Sequence, residues 1–173
     1  MSKLESFLLI VLLPPHQRIY KHERPCSQFN IPIHPSIKSR PAVVHFVDSF
    51  FARTLFQPDD DLAATVLSAE LAPDAAININ GNHLTAETFI GLITSQFRGA
   101  FSASVTSIQD LNVVPTNETK TSGIVGQYSK YETRGKADGK VLKQSATTIV
   151  KVDERDGKKL ITSIWEAQTV DEE

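Results

Sequence analysis

The order of the predicted elements is the feature that most constrains what this chain can fold into. Between residues 42 and 168, hydrophobic spacing and breaker residues predict helix, helix, short strand, helix and then four strands. Few single-domain folds place all their helices ahead of a run of sequential strands. Because short polar turns join the four strands, we expect an antiparallel meander. The predicted class is α+β, with three N-terminal helices packed on one face of a strongly curved antiparallel sheet.

Each predicted helix has a recognisable start or stop. Apolar side chains recur at helical spacing over residues 42–57. A second helix begins at the aspartates 59–61, whose carboxylates oppose the positive end of the helix dipole. Thr85 is a predicted N-cap for the third helix, and Gly99 is placed to end it. The predicted strands span residues 75–80, 101–114, 121–133, 141–152 and 159–169.

The first 40 residues differ in composition from the rest of the chain. They hold five of the nine prolines and no glycine, which predicts a proline-rich, disordered arm over 1–40 and a folded domain over 41–173. The apolar run at 7–13 is too short to cross a membrane as a helix, which needs about 20 residues. A secretory signal stays open, since its apolar region can be this short, but two prolines follow without a small-residue cleavage pattern. We therefore expect a cytoplasmic protein with no membrane span.

Composition argues against several classes of function. A formal net charge of −2 gives no electrostatic reason to expect a nucleic-acid partner. The single cysteine, Cys26, excludes an intramolecular disulfide and a cysteine-based zinc cluster. The sequence has no glycine-rich phosphate loop or nucleophile motif, and His16, His22 and His34 are irregularly spaced among prolines. We expect no metal and no cofactor.

Four short segments stand in a distinctive order. The first helix carries Phe50-Phe51, and residues 71–77 read Leu-Ala-Pro-Asp-Ala-Ala-Ile. Gly81 then precedes the helix start at 85–87, and the turn at 156–157 leads into the last strand. In this order and spacing the chain resembles the nuclear-transport-factor-2-like superfamily, particularly its SnoaL-like and ketosteroid-isomerase-like branches. The resemblance implies a cone-shaped half-barrel with a pocket at its open end, and dimerisation through the outer face of the sheet.

The strand pattern independently indicates a second covered surface. One parity of residues 141–152 is largely apolar, yet the other parity still carries Val141 and Ile149. Apolar residues also occupy both parities of the last strand, whereas helices on one face alone predict clean alternation. Apolar residues on both faces indicate that both are covered. We interpret this as a homodimer through the outer sheet face, with coverage by the N-terminal arm as the alternative.

Acid–base enzymes of this superfamily need an ionisable base inside the cone and donors for a developing enolate oxygen. Glu166 shares strand parity with Leu160 and Ile164 and is the predicted catalytic residue if the protein is an enzyme. One residue of register slip would move it to the other face. Tyr128, Gln144 and Thr148 also have apolar neighbours. Because buried polar groups need partners, we predict ligand contacts for these three, with structural hydrogen bonding as the alternative.

Helical projection separates two polar residues of the first helix. His45 falls opposite the apolar stripe and is predicted to be solvated. Asp48 lies at the edge of the stripe, where it is placed for a surface ion pair, for solvation or for the mouth of a pocket.

The sequence therefore predicts a SnoaL-like protein that binds a hydrophobic cyclic or polyketide-like small molecule. Whether it is an enzyme stays open; an enzyme on this scaffold would be a cofactor-independent isomerase, dehydratase or cyclase. The alternative is a non-catalytic dimeric protein-interaction module, which the lack of a clear acid–base set favours. A metabolite binder needs a pocket of about 300 Å³ or more with convergent polar groups.

Overall fold

The computed structural model describes residues 40–171, so the predicted arm, apart from Arg40, lies outside the described residues. In chain order the elements are α1 (Ala42–Thr54), α2 (Asp60–Glu70), β1 (Leu71–Ile79), β2 (Asn82–Leu84), α3 (Ala86–Gly91), a π-helix (Leu92–Phe97), α4 (Arg98–Ala100), β3 (Phe101–Pro115), β4 (Gly123–Gly135), β5 (Val141–Arg155) and β6 (Lys158–Val170). The predicted α+β class is confirmed, with the helices ahead of the long strands of a curved, open sheet. None of the helices in this range combines the length and apolar content that a membrane crossing requires.

The strands of the described range form one six-stranded sheet in the order β2-β1-β6-β5-β4-β3. From β3 to β6, each strand pairs antiparallel with the next, as the meander predicts. In contrast, β1 pairs parallel with β6, with Ile77 opposite Ile164. This parallel pair joins the helical N-terminal half of the domain to its last strand.

Two features near β1 differ from the sequence expectation. The strand begins at Leu71, earlier than predicted, because Pro73 lies within an irregular stretch of the β1–β6 pairing, where a residue without an N–H group is tolerated. The short strand β2 was not predicted. Asn80 and Gly81, with φ values of 51° and 84°, form the tight turn that returns the chain to pair with β1.

Helix α1 packs through the apolar stripe that the sequence predicts. Its fully buried apolar side chains are Val43, Val44, Val47 and Phe50. The ring of Phe50 meets that of Phe51 edge-on, with centroids 5.4 Å apart. At the start of α2, the Asp59 carboxylate accepts a 2.9 Å hydrogen bond from the Leu62 backbone N–H, which is the N-cap arrangement expected for aspartate.

The third helical segment is interrupted by a π-helix that the sequence analysis did not predict. Thr85 caps its start, accepting a 3.1 Å hydrogen bond from the Thr88 backbone N–H. Further along, the Thr94 hydroxyl donates to the Ile90 carbonyl at 2.8 Å. Such a hydroxyl competes with the regular backbone ladder, and glycine, here Gly91, disfavours a helix. Gly91 and Thr94 both lie close to the point where the α-helix changes to the wider π-helix.

One end of the inner sheet face, the face towards the helices, is apolar. A row of opposed side chains crosses five strands there: Val113, Val125, Val150, Ile164 and Ile77. All but Val113 are buried, and they belong to the same core cluster as the stripe of α1. We call these five residues the apolar row. It fixes which strand parity faces the helices along β4 and β5, whose pairing is regular.

Candidate functional site

The inner face changes from apolar to polar immediately beside the apolar row. Asp110 of β3, Gln127 of β4, Thr148 of β5 and Glu166 of β6 lie opposite one another across four strands. We call these four residues the polar row. Gln127 and Thr148 are each only 6 % exposed, and Asp110 and Glu166 are partly buried. Polar side chains at this depth need hydrogen-bond partners, and those partners divide the row into two groups.

Glu166 and Thr148 form the first group. The Thr148 hydroxyl donates to Glu166 Oε2 at 3.0 Å, while on the other side Glu166 has Ile79 of β1 as its apolar neighbour. Burial raises the pKa of the Glu166 carboxyl, and the hydrogen bond from Thr148 opposes that rise. A desolvated carboxyl of this kind is suited to take up and release a proton nearer to neutral pH than an exposed glutamate.

Tyr131 of β4 belongs to the same region. Its hydroxyl donates to Gln168 Oε1 at 3.3 Å, and its ring centroid lies 6.2 Å from that of Phe56, just beyond α1. Burial raises the pKa of the Tyr131 phenol, and the negative charges of Glu166 and Asp171 raise it further. The phenol therefore keeps its proton and remains a hydrogen-bond donor close to the Glu166 carboxyl.

The second group surrounds Gln127 with one arginine and two aspartates. Arg40 donates to both carboxylate oxygens of Asp110, from Nε at 2.9 Å and from Nη2 at 2.8 Å. Its Nη1 donates to Asp48 Oδ2 at 2.7 Å. Gln127 Nε2 donates to Asp48 Oδ1 at 2.7 Å and to Asp110 Oδ1 at 3.0 Å. These bonds tie α1 to β3 and β4, and we call Arg40, Asp48 and Asp110 the charged cluster.

The structure brings some of the predicted site residues together and places one apart. Glu166 and Thr148 are hydrogen-bonded neighbours on the inner face. Gln144 is on the same face, 2 % exposed, and its Oε1 accepts a 3.0 Å hydrogen bond from the Thr133 hydroxyl. Tyr128 lies on the outer face, because the residues on either side of it in β4 occupy the inward positions. It is therefore separated by the sheet from Glu166.

Tyr131 and the charged cluster were not identified from the sequence. The available signal for Tyr131 was strand parity, since it shares a face with Val125 and Gln127 rather than with Tyr128. Nothing local signals the ion pair between Arg40 and Asp110, whose partners are 70 residues apart. Asp48 lies at the edge of the α1 stripe, as projected, and its carboxylate reaches the sheet.

Metal ligands are not grouped in residues 40–171, where no three histidine, cysteine, aspartate or glutamate side chains are arranged to hold an ion. The predictions about His16, His22 and His34 concern residues outside this range. His45 is exposed on α1, as predicted. The described site contains carboxyl, phenol, hydroxyl and amide groups.

Comparisons with known proteins bear on the fold. No protein-family model and no curated protein matches the sequence. Among solved structures, a ketosteroid isomerase-like protein from Erwinia carotovora atroseptica is similar with a TM-score of 0.56 at 11 % identity, over 73 % of this chain and 93 % of that chain. A proposed polyketide cyclase from Xanthomonas campestris pv. campestris has a TM-score of 0.53 at 17 % identity, over 73 % and 89 %. The domain has the nuclear-transport-factor-2-like fold.

Proteins with this nuclear-transport-factor-2-like fold carry names that point to different functions. A proposed calcium/calmodulin-dependent protein kinase II association domain from Xanthomonas campestris is also similar, with a TM-score of 0.53 at 15 % identity, over 73 % of this chain and 85 % of that chain. Similarity at these identities concerns the fold alone.

Replacing Glu166 with glutamine is expected to remove a pH-dependent loss of stability. The native pKa is raised, so as pH rises through the ordinary glutamate value of 4.5 the unfolded chain releases this proton first. The native state is then progressively destabilised until pH passes the native pKa. Glu166→Gln should therefore raise the free energy of unfolding, relative to wild type, more at about pH 8 than at about pH 4.

Urea unfolding at the two pH values measures this difference. Glu118→Gln, at an exposed loop position, is the matched control and should show no comparable dependence. Identical pH profiles for the two variants would contradict the raised pKa.

Proposed function

We propose that the domain binds a hydrophobic cyclic or polyketide-like small molecule against the polar row of the inner sheet face, and that Glu166 exchanges a proton with it. The observation that carries this proposal is the environment of Glu166. It is a desolvated carboxyl on the inner face, held through one oxygen by Thr148, and its Oε1 has no hydrogen-bond partner among residues 40–171. That oxygen is available to a ligand.

The chemistry suited to this arrangement is proton transfer without a cofactor. An ionised Glu166 would take a proton from the carbon beside a ligand carbonyl, giving an enolate, and would return the proton to another position. Tyr131 would donate a hydrogen bond to the enolate oxygen, exchanging its long bond to Gln168 for a shorter, charge-assisted one. Isomerisation, dehydration and cyclisation are the reaction types that such a pair supports.

Apolar side chains around the site favour a hydrophobic ring system. Ile79, partly buried against the core, lies opposite Glu166, and the ring of Phe56 faces Tyr131. Ligand sites in proteins combine mostly apolar walls with a few polar groups that set orientation. The inner face beside α1 offers that combination.

Glu166→Gln is expected to reduce proton exchange on an enolisable cyclic ketone by at least about 100-fold, because the amide cannot accept the proton. Deuterium incorporation beside the carbonyl, followed by NMR in heavy water across a panel of such ketones, measures the rate. Glu132→Gln, a change of the same kind on the outer face of β4, should leave exchange unchanged. Exchange by Glu166→Gln at the wild-type rate would eliminate Glu166 as the base.

We also propose that two copies of the domain pair through the outer sheet face. Ile149 and Trp165 lie opposite each other in its middle and are 44 % and 48 % exposed. Lys130 and Lys151 stand further out on the same face. A neutral apolar centre with charges towards its rim is typical of a protein interface, and a neutral patch suits a second copy of itself.

The alternative function, a non-catalytic interaction module, uses this same outer face. The name of the association domain noted above is in keeping with assembly on this fold. The two functions differ in the exchange experiment, since a module of that kind would show no exchange that depends on Glu166.

A further inference from the structure

The amide of Gln127 is held in one orientation by the charged cluster. Gln127 Nε2 donates to Asp48 Oδ1 at 2.7 Å and to Asp110 Oδ1 at 3.0 Å. An amide nitrogen has two hydrogens to donate, and ionised carboxylates only accept. The flipped amide would place its oxygen against both carboxylate oxygens, without a hydrogen between them. The nitrogen therefore faces the aspartates, and the amide oxygen faces away from them.

Arg40 stabilises this orientation of the Gln127 amide. Its guanidinium holds Asp110 through two parallel hydrogen bonds and Asp48 through a third. Planar guanidinium–carboxylate pairs of this kind fix geometry as well as charge. One cation thus keeps two carboxylates side by side in position to accept from Gln127.

The amide oxygen is left without a donor. Gln127 is 6 % exposed, and its Oε1 accepts no hydrogen bond from any of residues 40–171. The neighbouring Thr148 hydroxyl already donates to Glu166. Within that range no enclosed polar side-chain atom lacks a partner, so the unpartnered Oε1 is not sealed in and remains open to an approaching donor.

We propose that Gln127 is a specificity-determining residue, selecting ligands that present a hydroxyl or N–H group to its fixed amide oxygen. This inference rests on the proposed function and deepens it. Glu166 is two strands away in the same polar row, a backbone separation of about 10 Å. The ligand class is therefore a cyclic ketone that also carries a hydroxyl on the side remote from the reacting carbon. A ligand without that donor leaves a nearly buried acceptor unpaired.

The test compares two probes that differ in one hydrogen-bond donor, 6-hydroxy-1-tetralone and 6-methoxy-1-tetralone, by calorimetric titration of the full chain. Wild type should bind the hydroxy probe about tenfold more tightly, as expected for one buried hydrogen bond. In Gln127→Met, which keeps the side-chain length but lacks the acceptor, the ratio should fall to about 1. Gln109→Met, on the outer side of β3 opposite Tyr128, is the control and should keep the wild-type ratio.

A second variant changes the hydrogen bonding of the Gln127 amide while the Gln127 side chain itself is retained. Asp48→Asn retains Gln127, but the new asparagine amide can donate a hydrogen bond to Gln127 Oε1. The ratio of the affinities for the two probes should therefore again fall towards 1. Retention of the wild-type ratio in either Gln127→Met or Asp48→Asn would overturn the inference. Equal binding of both probes by wild type would overturn it while leaving the proposed function intact, and binding of neither probe would overturn both.

Discussion

Replacing Phe50 with alanine is expected to lower the free energy of unfolding by about 3–5 kcal/mol. Phe50 is fully buried in the stripe of α1 and belongs to the same core cluster as the apolar row. Removing its ring forfeits the transfer free energy of a large apolar group and leaves a cavity beneath the helix. The neighbours Val43 and Val47 are β-branched and stiff in a helix, so they cannot move in to fill the space.

Phe51→Ala is the matched control, because it makes the same change at the next position, where the side chain is only partly buried. Its expected loss is clearly smaller, since less apolar surface leaves water at that position. Urea unfolding followed by circular dichroism gives both values. Equal losses for the two variants would contradict the assignment of Phe50 to the core.

Replacing Ile149 with glutamate is expected to weaken the proposed homodimer by at least about 100-fold, because two unpaired carboxylates would be desolvated across the interface. Ile149 is 44 % exposed in the single domain, so the domain itself should keep its fold. Sedimentation velocity at micromolar concentration measures the association. Leu62→Glu, at an exposed leucine on α2, makes the same kind of change elsewhere and should leave the dimer unchanged.

Trp165 provides a second measurement of the same interface. It is the only tryptophan of the chain and lies opposite Ile149, so its emission reports directly on whether the outer face is covered. Dilution of wild type should shift the emission to longer wavelength, and Ile149→Glu should emit at long wavelength at every concentration. A wild-type protein that is monomeric at micromolar concentration would refute the dimer.

The elements that the sequence predicted well are those that local chemistry determines. The turn between β5 and β6 was expected from Asp156-Gly157, and both residues have positive φ, 52° and 73°, as a two-residue hairpin turn requires. The spacing of valines and phenylalanines in α1 predicted its buried face for the same reason. Only neighbours along the chain decide these features.

The parts of the site that were missed depend on how distant strands meet. Both parities of β4 carry apolar and aromatic residues, so the sequence alone did not decide whether Tyr128 or Tyr131 faces the helices. The decision comes from the apolar row, which spans five strands. In β6, an irregularity of the pairing with β5 leaves Glu166 on the face of Ile164 but not of Leu160. Such irregularities change the sheet face on which a side chain lies without changing the hydrophobic pattern of the sequence around it.

The parallel pairing of β1 with β6 has a consequence for the synthesis of the protein. The long strands β3 to β6 can pair one after another as they leave the ribosome, since each meets its sequence neighbour. The first strand, by contrast, has only the three-residue β2 beside it until β6 has been made. Helix α2, which packs on both β1 and β6, therefore lacks part of its sheet contact until the last strand has been made. Apolar surface that stays exposed during that interval is prone to aggregation, which chaperones counteract.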